Sequence, residues 1–211
     1  MNGNDIEIGG FSAAGWEKNE RELAANVEDM TADQVKHVQL LVAALRSGNF
    51  HQGKSKLTTV LGDGGHRDCC LGVGCKVAIG NGFPLTVRFE SRYDSGGADI
   101  LMYGFGAEAT PSVLPVSVQQ WYGFGMSNPW LRRLPDDRGI VDGPLISAAQ
   151  ANDGMDWNYD QIADGFERTY VTPNLDKLNG GNERMLDSMD YDGVIAADAR
   201  NDDAAIFPAD E

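Results

Sequence analysis

Cys69, Cys70 and Cys75 are the most intrinsically reactive side chains in this chain, and all three fall within seven residues. Asp68 is placed to cap a short helix from Cys69 to Ile79, with Cys69 in its first turn, where the positive end of the helix dipole favours a thiolate. Cys69 or Cys70 is therefore the candidate nucleophile of a cysteine-dependent enzyme. Such a thiol also needs a base, which in papain-like hydrolases is a histidine oriented by Asn or Asp. His37, His51 and His66 all precede the cysteines, the reverse of that order, so no complete catalytic set is legible. The competing role is packing: free cysteine is among the most buried residue types, and Cys70 and Cys75 fit as small core residues.

Zinc would need a second pair of ligands beyond His66 and the cysteines, and a helix would turn Cys70 and Cys75 about 500° apart. No metal and no cofactor is expected. Gly62 to Gly65 and Gly72 to Gly74 match neither phosphate-loop spacing, so they read as turns and close-packing positions. Asn152-Asp153-Gly154 is most simply a turn ahead of a helix capped by Asn158. Its functional reading gives a ligand a donor and acceptor pair from Asn152 and Asp153, assisted by Gln52. Trp121, Tyr122, Phe124, Trp130 and Trp157 flank Gly- and Pro-rich loops and serve as core and staples, or line a groove.

These residues must be held by a small set of elements. The clearest is a helix in which Thr31 and Gln34 form a capping box and Val35, Val38, Leu41, Val42 and Leu45 form an apolar stripe that stops at Gly48. A surface helix with Leu23 and Val27 precedes it. Leu85 to Ser91 and Asp99 to Phe105 alternate around Tyr93 to Gly97 as a β-hairpin. Pro115 opens a brief helix with Val118 and Trp121 facing in, ended by Gly123, and a long loop follows to Gly143. Ile146 to Ala151 and a segment from Asn158 that buries Ile162, Phe166 and Tyr170 read as the closing helices. The expected fold is α+β: a compact, mostly helical domain of about five helices with one inserted hairpin at about 85–105. Residues 1–30 are expected to be an N-terminal extension, 31–170 the globular domain, and 171–211 an acidic, partly disordered tail whose Ile206-Phe207-Pro208 docks on the body or a partner.

Composition narrows the partners. With 32 acids against 17 bases the formal charge is −15, which disfavours direct nucleic-acid binding and attachment to a membrane surface. No run approaches the roughly 18 apolar residues of a membrane span, and Met1 to Gly10 does not read as a signal peptide. Three clustered cysteines make no disulfide framework, which fits a reducing cytosol. The acids are scattered along most of the chain, so solvation is the simplest reading, and imitation of nucleic acid as a decoy is the sharper one.

Five motifs run in consistent order over about residues 35 to 170: Leu45-Arg46-Ser47-Gly48, Gln52-Gly53, Cys69 to Cys75, Leu114-Pro115 with Val118 and Trp121, and Asn152-Asp153-Gly154 before Ile162-Ala163-Asp164. In these the chain resembles a group of phage and prophage proteins, departing at Gly74, in the hairpin insertion and at both termini. The resemblance implies phage origin, a compact mixed or mostly helical domain and the host cytoplasm, and it marks Gln52, Cys69, Cys70, Asn152 and Asp153 as recurring polar positions. It implies no activity. The expectation is a non-enzymatic accessory protein that binds a host or phage protein or a small polar signalling molecule; the alternatives are the cysteine enzyme and the acidic decoy. Oligomeric state is left open.

Overall fold

The computed structural model describes residues 13–90, 99–134 and 145–179. Its centre is α2 (Ala32–Arg46), whose capping box closes as expected, with Thr31 Oγ1 accepting from the Gln34 amide and Gln34 Oε1 from that of Thr31. Val35, Val38, Leu41, Val42 and Leu45 are buried on one stripe. Against that stripe pack α3 (Cys70–Gly80), α4 (Val116–Tyr122) and α6 (Tyr159–Phe166). The preceding helix, α1 (Ala13–Asp29), buries Leu23 and Val27 in the same core.

The sheet is larger than the single expected hairpin. β3 (Val87–Glu90) and β4 (Asp99–Tyr103) pair antiparallel as predicted, with Val87 opposite Tyr103; the expected turn at 93–97 lies outside the described residues. The Gly62–Gly65 turn joins a second antiparallel pair, β1 (Thr58–Val60) and β2 (His66–Asp68), and β1 also lies against β4, giving the order β2-β1-β4-β3. Strands of three residues carry too few side chains to show an alternation, so β1 and β2 were invisible to pattern.

A two-stranded ribbon sits apart: β5 (Trp130–Arg132) pairs with β6 (Leu145–Ser147). This corrects two expectations. The long loop after Gly123 contains a strand, and the helix expected from Ile146 begins two residues later as α5 (Ala148–Asp153), with Ser147 as its cap and Leu145 and Ile146 in the ribbon. In α4 the buried aromatic is Tyr122, whose hydroxyl donates to the Gly74 carbonyl at 2.9 Å; Trp121, expected to face in, is half-buried and stacks on His37. A π-helical turn (Glu167–Val171), a 3-10 turn (Thr172–Asn174) and α7 (Leu175–Asn179) carry the packed chain past residue 170. Whether the acidic tail is disordered, and where Ile206-Phe207-Pro208 goes, lie outside the described residues. Among the described residues no helix is long and apolar enough to cross a membrane.

Candidate functional site

The Cys69–Cys75 motif is built into the centre of the fold. Cys69 is the N-cap of α3, and its amide donates to the Leu57 carbonyl at 3.0 Å. That carbonyl lies so close to α3 that a Cβ on Gly72 would sit 1.8 Å from the Leu57 oxygen. Only glycine fits there without moving one backbone off the other. Leu57 is itself fully buried, with its amide on the Pro111 carbonyl at 2.7 Å.

The thiols are sealed. Cys70 and Cys75 are fully buried, Cys70 Sγ points at the Ala148 carbonyl 3.6 Å away, and Cys69 is 4% exposed. Burial pushes the Cys69 thiol up to about 12; the amides of Gly72 and Leu71 pull the other way without closing a hydrogen bond to sulfur, and the carboxylates of Asp153 and Asp68 add to the rise. Burial likewise holds Cys70 and Cys75 well above the ordinary thiol range. The first-turn amides act in the direction anticipated for a helix N-terminus, and desolvation exceeds them. None of the histidines bonds to a cysteine: His51 is exposed, His37 stacks on Trp121 with ring centres 3.7 Å apart, and His66 Nδ1 faces Lys76 Nζ at 3.3 Å.

Asp68 is not the cap of α3. It ends β2 with its side chain 2% exposed, where Oδ1 accepts from the Thr58 hydroxyl at 2.5 Å and Oδ2 lies 3.3 Å from Lys76 Nζ. Thr58 Oγ1 is also 2.8 Å from the Tyr103 hydroxyl. A buried carboxylate is tolerable only when paired and hydrogen-bonded, and Lys76 and Thr58 supply both conditions. This cluster went unread because Asp68 precedes a helix and so satisfies a capping pattern on sequence grounds alone.

Gln52, Asn152 and Asp153 come together across a hundred residues of sequence. Gln52 Nε2 donates to Asn152 Oδ1 at 3.1 Å and to the Trp157 carbonyl at 2.7 Å. Asn152, fully buried at the end of α5, uses both ends of its amide: Oδ1 also faces the Cys70 amide at 3.4 Å, and Nδ2 donates to the Gly53 carbonyl at 2.8 Å and to Asp153 Oδ1 at 2.6 Å. The loop at 52–53 is held from its other side by the Gly53 amide on the Asp68 carbonyl at 2.6 Å, and that carbonyl also accepts from the Tyr159 hydroxyl at 2.5 Å. One asparagine thus ties the 52–53 loop, the start of α3 and the end of α5. Its amide is directed inward and satisfied by protein groups. Asp153, bonded to Asn152 Nδ2, is half-buried; His51, which precedes Gln52 in sequence, and the ion pair of Lys54 with Asp156 are exposed, and the Asp156 backbone has φ +51°. Among the described residues no group of three or more His, Cys, Asp or Glu side chains is arranged to hold a metal ion.

The fold and this site define a mixed α/β protein built on a central capped helix, with small antiparallel sheets and a buried amide knot joining three segments. The chain belongs to the family described as a domain of unknown function, DUF8296, whose family model matches residues 32–170. No curated protein and no solved structure matches it.

Proposed function

We propose that this protein is a non-enzymatic accessory protein of the phage type that acts in the host cytoplasm by binding another protein, and that Asp153 and its neighbours form part of the contact surface. The observation that carries the reading is the division of polar atoms at the site. Asn152 and the Gln52 Nε2 are spent on the fold, so a partner arriving here meets Asp153, Asp156, Lys54 and His51. Loops held on a rigid scaffold are where binding groups collect. A net charge of −15 favours a partner with a basic face, and the resemblance of the ordered motifs to those of phage proteins suggests the setting.

A cysteine enzyme is not favoured, since a thiol pushed up to about 12 carries almost no thiolate at neutral pH. An acidic decoy would need carboxylates at phosphate-like spacing, and here Lys54 neutralises Asp156. The test is capture from host lysate by the wild-type chain and by Asp153→Asn/Asp156→Asn. The double variant keeps an acceptor oxygen for Asn152 Nδ2, and Asn tolerates the positive φ at 156. Loss of a discrete captured protein with the melting temperature unchanged supports the reading; equal capture by both chains contradicts it.

A further inference from the structure

We propose that His66, Asp68 and Lys76 form an acid-sensitive latch on β2, and that protonation of His66 opens it and loosens the 51–54 loop that β2 holds. β2 is the outer strand in the order β2-β1-β4-β3 and has three residues, so few bonds keep it in place. Its outer side carries the loop: the Asp68 amide donates to the His51 carbonyl at 2.9 Å, and the Asp68 carbonyl accepts from the Gly53 amide at 2.6 Å. His66 and Asp68 are two residues apart, which puts both side chains on one face of the strand. Lys76 of α3 reaches that face and spans it. Its Nζ lies 3.3 Å from Asp68 Oδ2 and 3.3 Å from His66 Nδ1, and its side chain is 16% exposed.

An ammonium has protons to give and no lone pair, so opposite Lys76 the Nδ1 of His66 can only accept. The ring there is neutral, with its proton on Nε2. Uptake of a second proton turns Nδ1 into a donor; the hydrogen bond is lost and two cations face each other. Asp68 has no oxygen left to separate them, because Oδ1 takes the Thr58 hydroxyl at 2.5 Å and Oδ2 takes Lys76. Lys76 cannot withdraw without stripping a buried carboxylate of its cation, and the Phe50 ring lies 5.9 Å from its Nζ. The half-buried His66 end of the strand therefore moves. Of the other charged groups around it, Arg67 is exposed on the opposite face of β2, Asp63 in the preceding turn accepts from the Gly65 amide at 2.9 Å, and Asp99 of β4 lies across from Val60, the β1 partner of His66. Among the described residues neither of these carboxylates bonds to His66. The loosened loop carries His51 and Lys54, so where the partner surface proposed above holds, acid weakens it; the latch itself needs no partner.

The experiment is amide hydrogen exchange of the full chain at pH 7.5 and 5.5, a span in which imidazoles titrate and ordinary carboxylates stay ionised, with each amide referred to its intrinsic rate at that pH. Protection of the Gly53 and Asp68 amides is expected to fall about tenfold or more at pH 5.5, while α2 amides change by about twofold at most. In His66→Gln, whose side-chain oxygen accepts from Lys76 at either pH, the fall should vanish. His66→Arg, a permanent cation, should show the low protection at both pH values with α2 still protected. His51→Gln removes the imidazole within the loop and should keep the wild-type response. Unchanged protection in the wild type, a fall shared equally by α2, an equal fall in His66→Gln, wild-type protection of His66→Arg at pH 7.5, or loss of the response in His51→Gln overturns the proposal.

Discussion

Each cysteine of the Cys69–Cys75 motif has a different task, and substitution separates them. Cys70 occupies a closed volume against α5, so Cys70→Ser buries a hydroxyl with a poorly placed acceptor and should cost about 1–3 kcal/mol in urea unfolding. Cys69 stands at an N-cap, where serine is a preferred residue that can accept from the Gly72 amide; Cys69→Ser should be neutral or stabilising by up to about 1 kcal/mol. Equal losses for the two would show that the cap geometry is wrong. Gly72→Ala must push α3 away from Leu57 and should cost at least the roughly 1–3 kcal/mol of an overpacked core site. A melting temperature within a degree of wild type would contradict the 1.8 Å approach. The glycine itself was legible as a close-packing position. Its partner was not, because Leu57 lies fifteen residues upstream in a segment without periodicity.

At the scale of elements, legibility followed length and capping chemistry. α2 announced itself through Thr31, Gln34 and five stripe residues, and α6 through Asn158, because caps and a 3.6-residue period are local signals. β1, β2, β5 and β6 have three residues each, too few to show an alternation, so even the Gly-rich turn between β1 and β2 did not reveal the strands on either side of it. The convergence of Gln52 with Asn152 was anticipated from two loops carrying amides. Its depth was not, since sequence does not say that Asn152 ends a helix inside the core. The last elements also have a measurable task. Asn174 and Lys177 hold the carbonyls of Val27, Glu28 and Met30 at the end of α1, groups that a helix leaves without internal partners. A chain ending at 171 should therefore melt several degrees below one ending at 179 and lose protection from exchange in α1. Identical melting of the two would show that α1 docks without them.

For the molecule as a whole, the buried thiols and phenols fix the response to alkali. Desolvation raises Cys69, Cys70 and Cys75, and also Tyr122, Tyr159 and Tyr170, so all six stay protonated in the folded chain at pH values where they ionise once unfolded. The unfolded state then binds fewer protons than the native one, and stability falls as pH rises above the ordinary thiol value of 9.0. Unfolding free energy measured from pH 7 to 10.5 should be flat to about 8 and then decline, approaching ~1.4 kcal/mol per pH unit for each thiol ionised. A flat profile to pH 10.5 would mean that the thiols reach solvent.

The central claim is that the amides of Gln52 and Asn152 form a knot that holds three segments together. The direct measurement is a double-mutant cycle in urea with Gln52→Ala, Asn152→Ala and both. Asn152→Ala leaves the Cys70 amide, the Gly53 carbonyl and Gln52 Nε2 each short of a partner and should cost about 3 kcal/mol or more, and Gln52→Ala less. The account predicts a coupling energy between the two of about 1 kcal/mol or more, because they share one hydrogen bond in a buried network. Additive losses, or an Asn152→Ala cost below about 0.5 kcal/mol, would contradict it and leave Asn152 an ordinary helix-end residue.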